Sequence, residues 1–481
     1  MTVDVQAPSE TAVRRIDHPS ADERAARGRE ARRLVPRSSH AGWKPADDRS
    51  DPVALLQEQD RTREPDLVPV RHGRMMASPF TFYRGAAKVM AADLEGTPRA
   101  GLEVQLCGDA HLSNFGVFAS PERTLLFDLN DFDETLPGPF EYDVARLAAS
   151  FAIAARNNGF AGADVAEAAT ATVRSYRNAI AEFAEMGNLA IWYSRLPADD
   201  VLDLIRRSAT SKKERVGTAR AEKLVAQART RDSVQALAKL GELVDGQYRI
   251  VSQPPLIVPL RDVALHYGLD PKETEDGIRV LLRQYRATLE DDRRHLLDGF
   301  QVVDVARKVV GVGSVGTRAF IALLQGRDEA DPLFLQVKEA TTSVLEDHLP
   351  KSRYANHGER VVRGQRMMQA ASDIFLGWTR GLDVDRHYYW RQLRDMKGSA
   401  AVETMSPLAM SVYAGMCGWT LARAHARSGD PIAINAYLGR RDSFDRAMTD
   451  FACRYADQNE RDYERFVDAI HDGALEAEEG V

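Results

Sequence analysis

The sequence predicts an α+β protein of two lobes, one helical and one smaller and β-rich. Three observations carry that prediction. Strand-like alternation occurs in two separate places, long runs of three- and four-residue apolar steps lie between and after them, and the texture changes abruptly near residue 300. The chain has 481 residues, 44% apolar and 28% charged. That is enough to bury a large core, and at about 150 residues per domain the length suits two or three units.

Residues 1–50 are rich in Arg, Asp, Glu, Ser and Pro ("RRIDHPSADERAARGREARRLVPRSS") and are expected to form a mobile charged arm. From Asp51 the apolar pattern tightens, and "SPFTFYRGAAKVMAADL" reads as a turn entering a helix. "GLEVQL" and "NFGVFAS" alternate like short strands, "PERT" is a turn and "LLFDL" a buried strand. Residues 141–295 are expected to be mostly helical, with "DVARLAASFAIAARNNG" the clearest case. "SATSKKERVGTARAEKLVAQARTRD" mixes charge signs and reads as a solvated helix face, and "VSQPPLIVPL" as a Pro-rich connector. Residues 300–340 predict three strands joined by a Gly-rich turn and a polar turn. A helix ("HGERVVRGQRMMQAAS"), two strand-like pieces ("IFLGW", "HYYWRQL"), the long helix "SPLAMSVYAGMCGWTLARAHARSG" and a charged C-terminal pair follow. The expected organisation is therefore an arm (1–50), the first part of a helical lobe (51–299), a β-rich lobe (300–397) and the second part of the helical lobe (398–481).

A net charge of −7 gives no global basic field to gather nucleic acid or an anionic membrane. Cys107, Cys417 and Cys453 are odd in number and form no CxxC pair, which suits a reducing compartment and argues against a disulfide scaffold or zinc cluster. No stretch approaches the roughly 18 apolar residues of a membrane span, and no signal-peptide apolar region opens the chain. A cytoplasmic protein with no membrane and no nucleic-acid partner is expected.

Two constellations suit chemistry. In "CGDAHLSNFGVFASPERTLLFDLNDFDET", Asp109 and Asn114 stand five residues apart in the loop between two strands. The carboxylate can accept a proton from a substrate hydroxyl while the amide oxygen ligates a cation. Asp128, Asp131 and Asp133 close the next strand, and carboxylates this dense repel unless a cation or basic side chain neutralises them. Mg²⁺ fits, since it takes oxygen ligands and binds through one or two carboxylates plus phosphates. The structural alternative is an acidic hairpin paired with Arg123, Arg146 or Arg84. His111 is expected to be a turn residue.

The second constellation is "GVGSVG", with Gly311, Gly313, Ser314 and Gly316, followed by Lys338 in "LFLQVKEA". A dinucleotide fingerprint would open a helix after the loop, whereas here "TRAFIALLQG" continues as a strand. A Gly-rich hairpin followed one strand later by a buried Lys is how protein kinases cover and pair ATP phosphates.

"GDAHLSNFG", "FDLNDFDET", "GPFEYDVARL" and "LQVKEA" together resemble the bacterial family catalogued as domain of unknown function 2252, from about Arg33 to the C-terminus. Its wider likeness is to the aminoglycoside phosphotransferase and choline kinase branch of the kinase-like fold. That resemblance implies Asp109 as catalytic base, Asn114 as first Mg²⁺ ligand, Asp131 or Asp128 as second, and Gly138 and Asp143 as structural. Cys107 stands where the branch has His or Asn. Because the Gly-rich loop and Lys338 follow the catalytic loop instead of preceding it, a circular permutation is implied, with "LAMSVYAGMCGWTLARAHARSG" (408–429) as the helix leading into the Asp109 loop. Glu359, or alternatively Glu346, is expected to pair with Lys338. The implied function is ATP-dependent phosphotransfer to a hydroxyl of a small molecule or a protein. Nucleotidyl transfer, a non-catalytic nucleotide sensor or scaffold, and a metal-dependent hydrolase are the other readings. Helical insertions such as 160–240 are where this branch would build an acceptor pocket.

Overall fold

The acidic segment forms two small antiparallel sheets, because its strands are short and broken by turns. In the computed structural model β1 (Glu103–Leu106) pairs β4 (Leu136–Pro139), while β2 (Phe115–Ala119) pairs β3 (Leu125–Leu129). The structure describes residues 18–208, 211–231, 233–244, 247–262, 270–309, 311–382, 385–393, 396–478 and 480. Every residue of β3 is buried, so it carries the continuous apolar run of a strand covered on both faces.

From Phe140 the chain turns helical as predicted. The helix Phe140–Asn157 buries sixteen consecutive residues, Phe140 to Ala155. Gly162–Ala184 packs beside it and against the long helix Pro407–Ser428. Small side chains allow the approach, with Ala168, Ala169 and Thr172 buried and Gly418 lying against Thr172. The first part of the expected acceptor insertion is therefore core.

The expected all-helical stretch is interrupted by the hairpin β5 (Gly241–Val244) and β6 (Gln247–Ile250). The Pro-rich connector holds β7 (Ile257–Pro259), which adds to the edge of the β-rich lobe. Its Pro residues fit that place, since an edge strand needs fewer ladder donors. β8 (Gln301–Lys308), β9 (Ala319–Gln325), β10 (Pro332–Glu339), β11 (Gly377–Arg380) and β12 (His387–Gln392) complete a six-stranded antiparallel sheet ordered β11-β12-β10-β9-β8-β7. Helices 271–286 and 291–297 cover one face through Tyr285, Leu289 and Leu297 against Leu335 and Trp390. Ala236, Leu237 and Leu240 cover the other against Ile321, Leu323 and Phe334. The two-residue β13 (Gly398–Ser399) pairs with β2.

Residues 1–17 of the expected mobile arm lie outside the described residues; the rest is structured. Ser20 and Glu23 form a reciprocal capping box that starts the helix Ala21–Leu34. That helix packs on Pro431–Leu438, and Arg24 pairs with Asp430 at 2.8 Å. Further on, Arg49 bridges Asp93 and Asp462, each at 2.6 Å. Arg24 and Arg49 are thus spent on specific partners and not on solvent.

Candidate active-site cleft

Local chain geometry fixes the Asp109 loop first. Gly108 adopts φ 84°, a left-handed conformation that favours glycine. Asp143, on the first turn of the helix Phe140–Asn157, accepts the N–H groups of Cys107 (2.8 Å) and Gly108 (3.0 Å). His425 on the helix Pro407–Ser428 lies 3.2 Å from the same carboxylate. The loop is therefore held through backbone amides, whatever side chain position 107 carries. Burial pushes the Cys107 thiol well above its ordinary range, so it is not a poised nucleophile.

Asp109 pairs with Arg146, whose Nη2 lies 2.6 Å from Oδ1. Arg146 sits three residues after Asp143, on the same side of the helix. Its guanidinium also lies over the Tyr83 ring, 4.1 Å from the centroid. His111 Nε2 is 3.7 Å from the other Asp109 oxygen, Oδ2. Burial holds His111 down at about 4, so it is neutral at neutral pH. The Asn114 side-chain amide donates to the Asp109 carbonyl at 2.7 Å, which leaves its amide oxygen as the acceptor.

Lys338, buried on β10, meets the acids across the cleft. Its Nζ donates to Asp133 Oδ2 at 2.6 Å and lies 3.8 Å from Asp131 Oδ2. Tyr389 donates to Asp133 Oδ1 at 2.7 Å. Burial works against the Lys338 charge, but Asp131 and Asp133 overcome it and raise its affinity for the proton. Burial would likewise raise the Asp131 carboxyl, but Lys338, Arg391 and Lys397 hold it down at about 2. Lys397 itself is pushed down to about 7, by burial first and then by Arg391. Glu134 is pushed up to about 7 by burial, and its Oε2 accepts the Val344 N–H at 2.7 Å.

The Gly-rich turn closes the opposite side. Gly311 (φ 68°) and Gly316 (φ 85°) are left-handed, and Ser314 Oγ lies 3.5 Å from Asp133 Oδ2. The turn is strapped from outside: Arg63 donates to the Val315 carbonyl, the Glu64 N–H to Gly316 O at 2.7 Å, and Arg74 to Gly311 O at 2.6 Å. Asp109, Asn114, Asp131, Asp133, Gly311, Gly313 and Ser314 all line one cavity of about 120 Å³, together with Arg63, Arg84 and Glu134.

Three expected site residues stand elsewhere. Asp128 is sealed in the core, paired with Arg423 and accepting the Ala370 N–H at 2.8 Å. Strand β3 is buried on both faces, so its alternation could not show which way Asp128 points. Glu359 pairs with Arg363 at 3.3 Å on an outer helix face, and Glu346 accepts the Ser343 and Ser352 N–H groups. Neither reaches Lys338. The side chain that ties the helix His357–Met368 to the cleft is Arg360, whose guanidinium donates to the Asp133, Thr135 and Thr341 carbonyls at 2.7–2.8 Å. Its burial phase with Val361 and Gly364 was available in the sequence as an inward helix face. Arg146 was available as a neighbour of Asp143; Tyr389 and Lys397 carry no local signal.

No three His, Cys, Asp or Glu side chains converge as a metal cluster among the described residues. Among the oxygen donors lining the cleft, Asn114, Asp131 and Asp133 stand together, with the two carboxylates 30% and 28% exposed. That donor set fits a hard divalent ion completed by phosphates and water. No described helix is long and apolar enough to cross a membrane.

No curated protein and no solved structure matches the chain. A family model described as uncharacterized protein conserved in bacteria (DUF2252) matches residues 63–469, from the strap over the Gly-rich turn to the last helix, and the chain belongs to that family.

Proposed function

We propose that the protein is an ATP-dependent phosphotransferase with a circularly permuted kinase-like fold, acting on a hydroxyl of a small molecule or protein. The observation that carries the reading is the meeting of Lys338 with Asp131 and Asp133, more than two hundred positions apart in the chain. The Gly-rich turn lies above them and Asp109 beside them. A Gly-rich turn between two strands, a Lys on the third and a helix after it is the order in which kinase-like lobes handle ATP phosphates.

The permutation has its own support. The end of the helix Pro407–Ser428 abuts β1, with the Gln105 N–H bonded to Ser428 Oγ at 3.1 Å. Cutting the chain elsewhere and joining these neighbours would let the helix run directly into the Asp109 loop, as the resemblance implies.

In this reading Lys338 engages the α/β-phosphates and N–H groups of residues 311–316 cover the β/γ-phosphates. Asn114 and Asp131 hold Mg²⁺, which supplies charge neutralisation, and Asp133 stays with Lys338 and Tyr389. Asp109, fixed on one oxygen by Arg146, orients the acceptor hydroxyl with the other. Positioning and electrostatics supply the acceleration. Among the described residues no cluster of imidazoles joins the acids, so the hydrolase reading gains nothing from this geometry.

The test is thermal denaturation with ATP and Mg²⁺, followed by γ-labelled ATP with a lysate or metabolite panel. A shift present in the wild type and in Asp109→Ala but lost in Lys338→Ala, with label transferred only by the wild type, is expected. Label arriving from α-labelled ATP instead would turn the reading to nucleotidyl transfer. An unshifted wild type would remove the nucleotide from it.

A further inference from the structure

Of the basic side chains around the cleft, Arg146 is spent on Asp109, Arg360 on three carbonyls, Arg63 on the Val315 carbonyl, and Lys338 on two carboxylates. Arg84, like Lys397 beside Asp131, has no such partner among the described residues. It is the penultimate residue of the short helix Pro79–Gly85 and lines the cavity with Asp109, His111 and Ser314. Among the described residues its guanidinium makes no hydrogen bond or ion pair, and Nε is buried without a partner. Its Cζ lies 6.0 Å from the centroid of the Phe80 ring.

One contact and the shared cavity lining locate it. A Cβ at Gly313, on the tip of the Gly-rich turn, would come within 3.0 Å of the Arg84 carbonyl oxygen. Burial lowers the proton affinity of the guanidinium, and the negative charges of Asp109 and then Glu403 partly restore it. Arg84 thus lies between the turn that would cover a terminal phosphate and the carboxylate that would orient an acceptor. A guanidinium held largely out of water with no ion pair or hydrogen bond in contact is costly, and its planar fork matches phosphoryl oxygens.

Resting on the phosphotransfer reading above, we propose that Arg84 is a catalytic residue: an arginine supplied in cis that takes the oxygens of the transferring phosphoryl group. In the step, the bond from the γ-phosphorus to the β–γ bridging oxygen breaks and ADP leaves with the electron pair. A new bond forms from that phosphorus to the acceptor oxygen, and the hydroxyl proton passes to Asp109 Oδ2. Arg84 forms no covalent bond; it offsets charge on the three equatorial oxygens as they pass between donor and acceptor.

Equilibrium binding of ATP, ADP and tripolyphosphate, each with Mg²⁺, to the full chain tests this without an identified acceptor. Arg84→Gln is expected to weaken ATP by about tenfold to a hundredfold while leaving ADP unchanged. Arg84→Lys, which keeps the charge and guards against a folding artefact, should fall between. Where turnover is measurable, Arg84→Gln should slow it by about 10³- to 10⁵-fold. ATP affinity equal to wild type, or equal losses for ATP and ADP, overturns the proposal while leaving the nucleotide site standing. Wild-type protein that binds neither nucleotide defeats the underlying reading. In that case tripolyphosphate binding lost in Arg84→Gln would still support Arg84 as the phosphate-receiving group, and no tripolyphosphate binding would overturn it too.

Discussion

Lys338 and its acids show how single residues were both legible and misjudged. Sequence density alone marked Asp131 and Asp133 as needing a cation, and Lys338 answers them. The expected Glu359 partner failed by one helical step. Adjacent positions on a helix point about 100° apart, so the phase that buries Val361 and Gly364 brings Arg360 inward and turns Glu359 to Arg363. Titration is a second residue-scale property. Burial pushes the Glu141 carboxyl up to about 7, with Oε1 accepting the Ala100 N–H and Oε2 unpartnered. A carboxyl whose folded affinity for the proton exceeds its unfolded one stabilises fully below the unfolded value near 4.5. That contribution is lost as pH rises through 7. The neutral His40 and His111, each held near 4 by burial, act in the opposite sense as pH falls from 6.5. The single variant separates them: the Tm advantage of wild type over Glu141→Gln should shrink between pH 5 and pH 8. An advantage that is flat or grows would contradict the burial argument.

At the scale of elements, two aspartates three residues apart divide structure from chemistry. Asp128 stands one residue from the end of β3, and through Arg423 and the Ala370 N–H it ties that strand to the helix Pro407–Ser428 and to the end of His357–Met368. Asp128→Ala leaves a buried guanidinium unpaired and is expected to cost about 3–5 kcal/mol in denaturant unfolding. Asp131→Asn should leave unfolding within about 1 kcal/mol, because Lys338 keeps Asp133. It should instead abolish the Mg²⁺-dependent part of ATP binding. Equal destabilisation by the two substitutions would show that Asp131 is structural as well. Most elements were legible from apolar periodicity. The exceptions include the helix Ala21–Leu34, whose charged sequence has little apolar periodicity, strand β4, and strands β5 to β7, whose mixed Pro, Gly and charged composition masks alternation that only sheet pairing reveals.

For the whole molecule, the N-terminal segment is a tie and not an appendage. Arg49 reaches Asp93 and Asp462 together, and both carboxylates are nearly buried. The first helix packs on 431–438 and the strap from Arg63 to Arg74 holds the Gly-rich turn. Arg49→Ala should destabilise by about 3–5 kcal/mol, read as a lowered denaturation midpoint, since two carboxylates lose a shared cation. Deleting residues 1–50 should lower it at least as far; an unchanged midpoint would mean those contacts carry no stability.

The sequence by itself determined what depends on neighbours along the chain. Helices follow from three- and four-residue apolar steps, the Gly-rich hairpin from its glycines, and the unneutralised acidity of residues 128–133 from its density. It also supplied the motifs by which the family is known. Only the tertiary structure decided which cation meets which acid, that Asp128 is sealed in the core while Asp131 and Asp133 reach the cleft, and that Arg84 stands there unanswered. Those outcomes are set by packing between segments hundreds of residues apart, where one turn of helix phase or one strand face reverses a side chain. No local pattern records that choice.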